Sequence, residues 1–149
     1  MNTEVHILAN HAATEKLGRK LAQSYANKPK LILLSGPMGA GKTSLVQAFI
    51  GELIKNQSSI TSPSYSYVKS YDGPISIIHC DLYRIDHVSE LEELGILEYL
   101  TDHQSLRLVE WPERAPFLFD LAQLLIELEI IDEHRLAKII NLQVVEGIG

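Results

Sequence analysis

The residues with the clearest chemical meaning are Gly36-Pro37-Met38-Gly39-Ala40-Gly41-Lys42-Thr43, a full match to GxxxxGK[ST]. That spacing serves a phosphate chain. Glycines let the backbone wrap close to a phosphate, with N–H groups pointing inward at a helix N-terminus. A lysine at the Lys42 position can reach β- and γ-phosphates, and a hydroxyl at the Thr43 position can ligate Mg²⁺. Gly36, Gly39, Ala40, Gly41, Lys42, Thr43 and Ser44 are therefore the candidate nucleotide-binding residues, and Lys42 is also a candidate catalytic group. The flanks agree with this reading. Leu31-Ile32-Leu33-Leu34 is an apolar run without alternation, the mark of a strand buried on both faces. Behind the loop, Leu45, Val46, Phe49, Ile50, Leu53 and Ile54 recur at helical spacing. Strand, glycine loop and helix are the context that separates a P-loop from a chance match.

A P-loop needs a second Mg²⁺ contact, usually a carboxylate at the end of a neighbouring strand. Two runs offer one: Ile75 to Asp81, and Leu106-Arg107-Leu108-Val109-Glu110. The residues alone leave the choice between Asp81 and Glu110 open, and either carboxylate has a plain reading as a strand-end acid. His79, Asp81 and Tyr83 share one face by strand alternation. A lone strand histidine such as His79 reads as packed or hydrogen-bonded rather than as a metal ligand. Arg84 reads equally as a phosphate contact or as an ion-pair partner for the acids at 90–93, and Trp111 equally as a site residue or as core. The hydroxyl-rich segment Thr61 to Ser66 lies where many P-loop proteins carry a loop that senses the γ-phosphate.

These residues require elements to hold them. Asn10 is the expected N-cap of a helix running to about Tyr25, with Ala13, Leu17, Leu21 and Tyr25 as its apolar stripe. Asn27-Lys28-Pro29-Lys30 is a loop into the Leu31 strand, and the P-loop helix is expected to end near Lys55-Asn56-Gln57. Val68 to Tyr71 predicts a short strand and Asp72-Gly73-Pro74 a turn. Ser89-x-x-Glu92 reads as a capping box opening one helix from Glu90 to Leu100. Glu113 to Phe119 is expected to be irregular. Leu124 to Ile131 alternates as a half-exposed strand, and after Asp132-Glu133-His134-Arg135 a second alternating run goes from Leu136 to Val145, so the two predict an antiparallel hairpin.

At 149 residues the chain is expected to form one domain, 1–149, with an ordinary globular composition of 46% hydrophobic and 21% charged residues. The formal net charge of −6 argues against broad affinity for nucleic acid, so any RNA is expected to be held by a partner. No apolar run reaches the roughly 18 residues of a membrane span, and Met1 to His6 lack a signal peptide's basic start. One cysteine, Cys80, allows no internal disulfide. A cytoplasmic protein with no membrane partner is the expectation.

Taken together, the pieces resemble the TsaE family (also called YjeE), bacterial ATPases of tRNA threonylcarbamoyladenosine biosynthesis. The resemblance rests on Gly39-Ala40-Gly41-Lys42-Thr43, Thr61-Ser62-Pro63-Ser64-Tyr65, His79-Cys80-Asp81-Leu82-Tyr83-Arg84, Glu90 to Gly95 and Glu110-Trp111-Pro112-Glu113, in the family's order along nearly the whole chain. It departs where Pro37-Met38 replaces the family's Asp-Leu, removing a carboxylate and a backbone donor, and where Ser64 replaces Thr. The resemblance implies an α/β, P-loop NTPase-like three-layer fold with a mostly parallel central sheet and antiparallel edge strands. It implies that Thr43 and Glu110 hold Mg²⁺, that Asp81 contributes to hydrolysis, and that Asn10 and Arg135 lie near the base and ribose of ATP. It further implies slow ATP turnover serving the partners TsaB and TsaD, which transfer threonylcarbamoyl to the adenosine beside the anticodon, with tRNA met only through that complex. The other readings weighed are a small P-loop kinase and a nucleotide-binding regulatory protein that does not hydrolyse. A kinase would want an arginine-bearing lid, for which only Arg19, Arg84, Arg107, Arg114 and Arg135 exist. A GTPase would want an NKxD-type guanine reader, which Asn27-Lys28-Pro29-Lys30 does not supply.

Overall fold

The structure, a computed structural model, describes residues 2–25, 28, 30–54 and 67–142. The hydroxyl segment Thr61 to Ser66, the expected helix end at Lys55-Asn56-Gln57 and the last part of the run to Val145 lie outside them. The described chain is an α/β arrangement of seven strands and five α-helices. In order these are β1 (Thr3–Leu8), α1 (His11–Tyr25), β2 (Leu31–Ser35), α2 (Lys42–Leu53), β3 (Val68–Tyr71), β4 (Ile77–Asp81), α3 (Ser89–Glu93), α4 (Leu97–Leu100), β5 (Leu106–Glu110), α5 (Leu118–Leu121), β6 (Leu124–Ile131) and β7 (His134–Asn141), with a short 3-10 turn at Pro112–Arg114. All seven strands form one sheet in the order β1-β7-β6-β2-β5-β4-β3. Its middle is parallel, β6 with β2, β2 with β5 and β5 with β4. Its edges are antiparallel, as the sequence led us to expect.

The unbroken apolar run of β2 has a direct structural cause. Ile32 and Leu34 face α1 and α2, packing with Leu21, Val46 and Phe49. Leu31 and Leu33 face the opposite side, with Leu91, Ile96, Leu100 and Leu118 from α3, α4 and α5. Both faces are covered, so alternation has nothing to report. Helix α1 begins as expected: the Ala13 N–H donates to Asn10 Oδ1 at 2.9 Å, satisfying one orphan donor of the first turn. It lies so close to α2 that a β-carbon on Gly18 would stand 2.5 Å from the Leu45 carbonyl oxygen.

Four expectations need correction, and one strand was not expected. The expected helix from Glu90 to Leu100 is two short ones, because Gly95 takes a left-handed conformation (φ 74°). The Gly95 and Ile96 N–H groups bond back to Glu92 and Leu91 carbonyls, the Schellman closure that ends a helix. Ser89 is the first residue of α3 and makes no side-chain cap. Instead Glu90 Oε1 accepts the N–H groups of Asp86 and His87, both at 2.8 Å. Glu113 to Phe119 is not wholly irregular, since it contains part of the 3-10 turn and the start of α5. The hairpin turn is only Asp132-Glu133, with Asp132 at φ 53°, so His134 and Arg135 already pair within β7. Finally, β1 had no counterpart in the sequence reading. It is an edge strand whose Val5 and Ile7 stay exposed, so it carries little core pattern.

Candidate functional site

Three parallel strands end side by side. In register, Leu34 of β2 lies opposite Glu110 of β5, and Glu110 opposite Asp81 of β4. Their carboxyl ends therefore open onto one crevice, the usual ligand position on such sheets. The glycine loop crosses it. Gly36 (φ 149°) cannot be replaced without conflict, because an added β-carbon would stand 2.5 Å from the Leu128 carbonyl oxygen. Gly41 (φ 106°) precedes α2 and, like the rest of that helix start, offers no side-chain cap. Among the described residues no side chain caps the first turn of α2, whose N–H groups suit an anion in the crevice.

A cavity of about 250 Å³ sits there, lined by Lys42, Thr43, Ser44, Asp81, Glu110 and Trp111 among others. Of the sequence-predicted loop residues, Gly39, Gly41, Lys42, Thr43 and Ser44 converge here with both carboxylates and the tryptophan, whereas Gly36 and Ala40 do not line this cavity. The Lys42 ammonium donates to the Gly36 carbonyl and lies 3.4 Å from the Pro37 carbonyl oxygen and 3.9 Å from the centre of the Trp111 ring. Trp111 holds its ring there from a left-handed backbone conformation (φ 60°) directly after β5, a strained geometry of the kind that collects at functional sites. Burial pushes the Lys42 pKa down, while Glu110, Glu113 and Asp81 oppose that shift. The cation lies against neutral carbonyls, with three carboxylates near it.

The two carboxylates differ sharply. Glu110 is 2% exposed. Its Oε1 accepts the Thr43 hydroxyl at 2.9 Å and its Oε2 lies 2.6 Å from His79 Nε2. His79 is thus a buried hydrogen-bonding residue, as its lone position on a strand suggested. Asp81 is less enclosed and accepts the Tyr83 N–H at 3.0 Å. Burial raises its pKa and Glu110 raises it further, against the Tyr83 N–H bond, His79 and Lys42. A hydroxyl paired with one carboxylate, beside a lysine, suits a cation shared with phosphates: Mg²⁺ takes few protein ligands and completes its shell from water and phosphate oxygens. No group of three or more His, Cys, Asp or Glu side chains able to hold a metal by themselves exists among the described residues.

Across the glycine loop a second cavity, of about 190 Å³, is lined by Asn10, His11, Ala40, Ser44, His134 and Arg135 among others. Asn10 and Arg135 are brought to the same place although they are far apart in sequence. Arg135 Nη2 donates to the Gly39 carbonyl at 3.3 Å, tying the hairpin to the loop. Two contacts escaped sequence reasoning. His11 Nε2 lies 3.1 Å from Ser44 Oγ, and the Ser35 hydroxyl donates to Glu113 Oε2. Glu113 stands in the Glu110-Trp111-Pro112-Glu113 run, and nothing in the sequence links it to Ser35. No described helix is long and apolar enough to cross a membrane.

Comparison with known proteins places these features in context. The family model described as "Threonylcarbamoyl adenosine biosynthesis protein TsaE" matches residues 8–139. A curated relative from Rickettsia felis, "tRNA threonylcarbamoyladenosine biosynthesis protein TsaE", is 37% identical over 138 residues, 91% of this chain and 78% of the relative. The protein of the same name from Haemophilus influenzae is 32% identical over 122 residues, 81% of this chain and 76% of its own. Among solved structures, Bacillus subtilis YdiB superposes with a TM-score of 0.70 at 23% identity, over 95% of this chain and 86% of that one, a likeness of fold.

Proposed function

This chain belongs to the TsaE family of tRNA threonylcarbamoyladenosine biosynthesis, and on that premise we propose that it is a Mg²⁺-dependent ATP-binding protein and slow ATPase. On this reading residues 1–149 form one P-loop NTPase-like, three-layer domain working in the cytoplasm. It acts on the TsaB–TsaD pair, and tRNA is met only through that complex.

The observation that carries the reading is the meeting of Thr43 and Glu110 at the open start of α2, within the cavity that Lys42 also lines. The N–H groups of the loop and of the first turn of α2 hold the phosphates, with the helix dipole behind them. Lys42 neutralises charge between the β- and γ-phosphates. Thr43 and Glu110 would hold Mg²⁺, which when bound supplies neutralisation of phosphate charge. Asp81 orients the attacking water and accepts its proton, and its raised pKa strengthens it as a base. Asn10 and Arg135, across the loop, flank the base and ribose.

Calorimetric titration with ATP in Mg²⁺, ATP in chelator and GTP in Mg²⁺ tests the binding part. ATP with Mg²⁺ is expected to bind most tightly. Equal or better affinity for GTP, or no effect of Mg²⁺, would overturn the reading.

A further inference from the structure

His79 and Glu110 lie on adjacent parallel strands, with Asp81 and not His79 directly opposite Glu110. The imidazole is fully buried and the carboxylate nearly so. His79 Nε2 reaches Glu110 Oε2 at 2.6 Å, while Nδ1 has no hydrogen-bond partner among the described residues. An ionised carboxylate only accepts, so Nε2 must carry the proton. Nε2–H is therefore the donor of this pair.

The opposite oxygen, Oε1, accepts the Thr43 hydroxyl. A carboxylate at a strand end turns easily about its last torsion, a broad and shallow one. Here both oxygens are held, one from the sheet and one from the helix. We infer that His79 is a positioning residue: its Nε2–H pins Glu110 Oε2 so that Oε1 stays aimed at Thr43 and the metal side of the cavity. This rests on the reading of Thr43 and Glu110 as the magnesium site. Lys42 acts on Glu110 only through its charge, with its ammonium on the Gly36 and Pro37 carbonyls and the Trp111 ring. Outer partners of this kind typically matter about 10- to 100-fold in metal affinity.

The test compares ATP affinity with Mg²⁺ and in chelator, by calorimetry, for the parent protein, His79→Leu, His79→Gln and Glu110→Gln. His79→Leu is expected to lose about tenfold or more of the Mg²⁺ enhancement, with affinity in chelator unchanged. His79→Gln, which keeps a donor of similar reach, is expected to recover most of it. A full enhancement in His79→Leu, or an equal loss in both His79 variants, would overturn the inference. Glu110→Gln separates the two levels. If it loses the enhancement while His79→Leu does not, only the positioning role fails; if it keeps the enhancement, the metal reading fails and takes the inference with it. Long-range ¹⁵N–¹H correlation on the parent protein needs no variant to fold. An Nε2–H ring at His79 supports the assignment, and an Nδ1–H ring overturns it.

Discussion

Replacing Lys42 with alanine removes the one ammonium group that, among the described residues, lines the cavity proposed to hold the phosphates. A hydrogen bond to a charged group contributes about 1.5–3 kcal/mol. Two structural features adjust that figure in opposite directions. Before ligand arrives the ammonium already has two carbonyl acceptors and the face of Trp111, a cation–π contact of about 0.5–2 kcal/mol, so part of its gain on meeting phosphate is exchange. Once it is gone, Glu110, Glu113 and Asp81, the carboxylates that acted on Lys42, face an incoming triphosphate without the ammonium that offset their charge. The two effects offset, and Lys42→Ala is expected to weaken Mg²⁺-ATP by about 1.5–3 kcal/mol, roughly 10- to 150-fold in Kd. Calorimetry measures this directly. The sole tryptophan gives an independent optical signal, because its ring lies 3.9 Å from the ammonium. A folded Lys42→Ala that binds ATP as the parent does would refute the reasoning and put the nucleotide elsewhere.

Further outcomes follow from particular contacts. Asp81→Asn is expected to cut turnover while leaving ATP binding nearly intact; loss of Mg²⁺-dependent binding instead would mean that the two carboxylates are assigned backwards. The same change should raise thermal stability near neutral pH. The folded pKa of Asp81 lies above its unfolded value, so the unfolded chain gives up the proton first and stability falls as pH rises through that window; a lower melting temperature at neutral pH would contradict the burial argument. Gly18→Ala forces a β-carbon against the Leu45 carbonyl and the Ala48 side chain. Overpacking of about 1–3 kcal/mol should lower the melting temperature by about 2–12 °C, and an unchanged or higher value would show that α1 can move away from α2. Burial pushes the Cys80 thiol up to about 12, so thiol reagents should leave it unmodified until the protein unfolds.

How far the sequence could be read depended on whether a feature was local. The glycine loop, its buried strand and its helix are contiguous, and each constrains the next; all three stand where their residues indicated. The hairpin was equally plain, because alternation in Leu124 to Ile131 reports a strand with one wetter face. Gly95 was visible but its conformation was not, since a glycine within an apolar helical pattern can also be tolerated. β1 was hidden because an edge strand with Val5 and Ile7 in solvent buries too little to leave a pattern. The pairing of His79 with Glu110 depends on the register between β4 and β5, which no single strand encodes. For the same reason the sequence placed Asp81 and Glu110 at strand ends without distinguishing them. Only the packed sheet shows one sealed between Thr43 and His79 and the other at the cavity's wetter side.

Phosphate release from ATP, measured for the chain alone and with the purified TsaB–TsaD pair, bears most directly on the proposed role. Release is expected to be slow alone, to rise when the pair is added, and to fall in Asp81→Asn under both conditions. Release that the pair leaves unchanged, together with equal affinity of the pair for the ATP-bound, ADP-bound and nucleotide-free chain, would contradict an ATPase acting on that complex and leave a passive nucleotide binder.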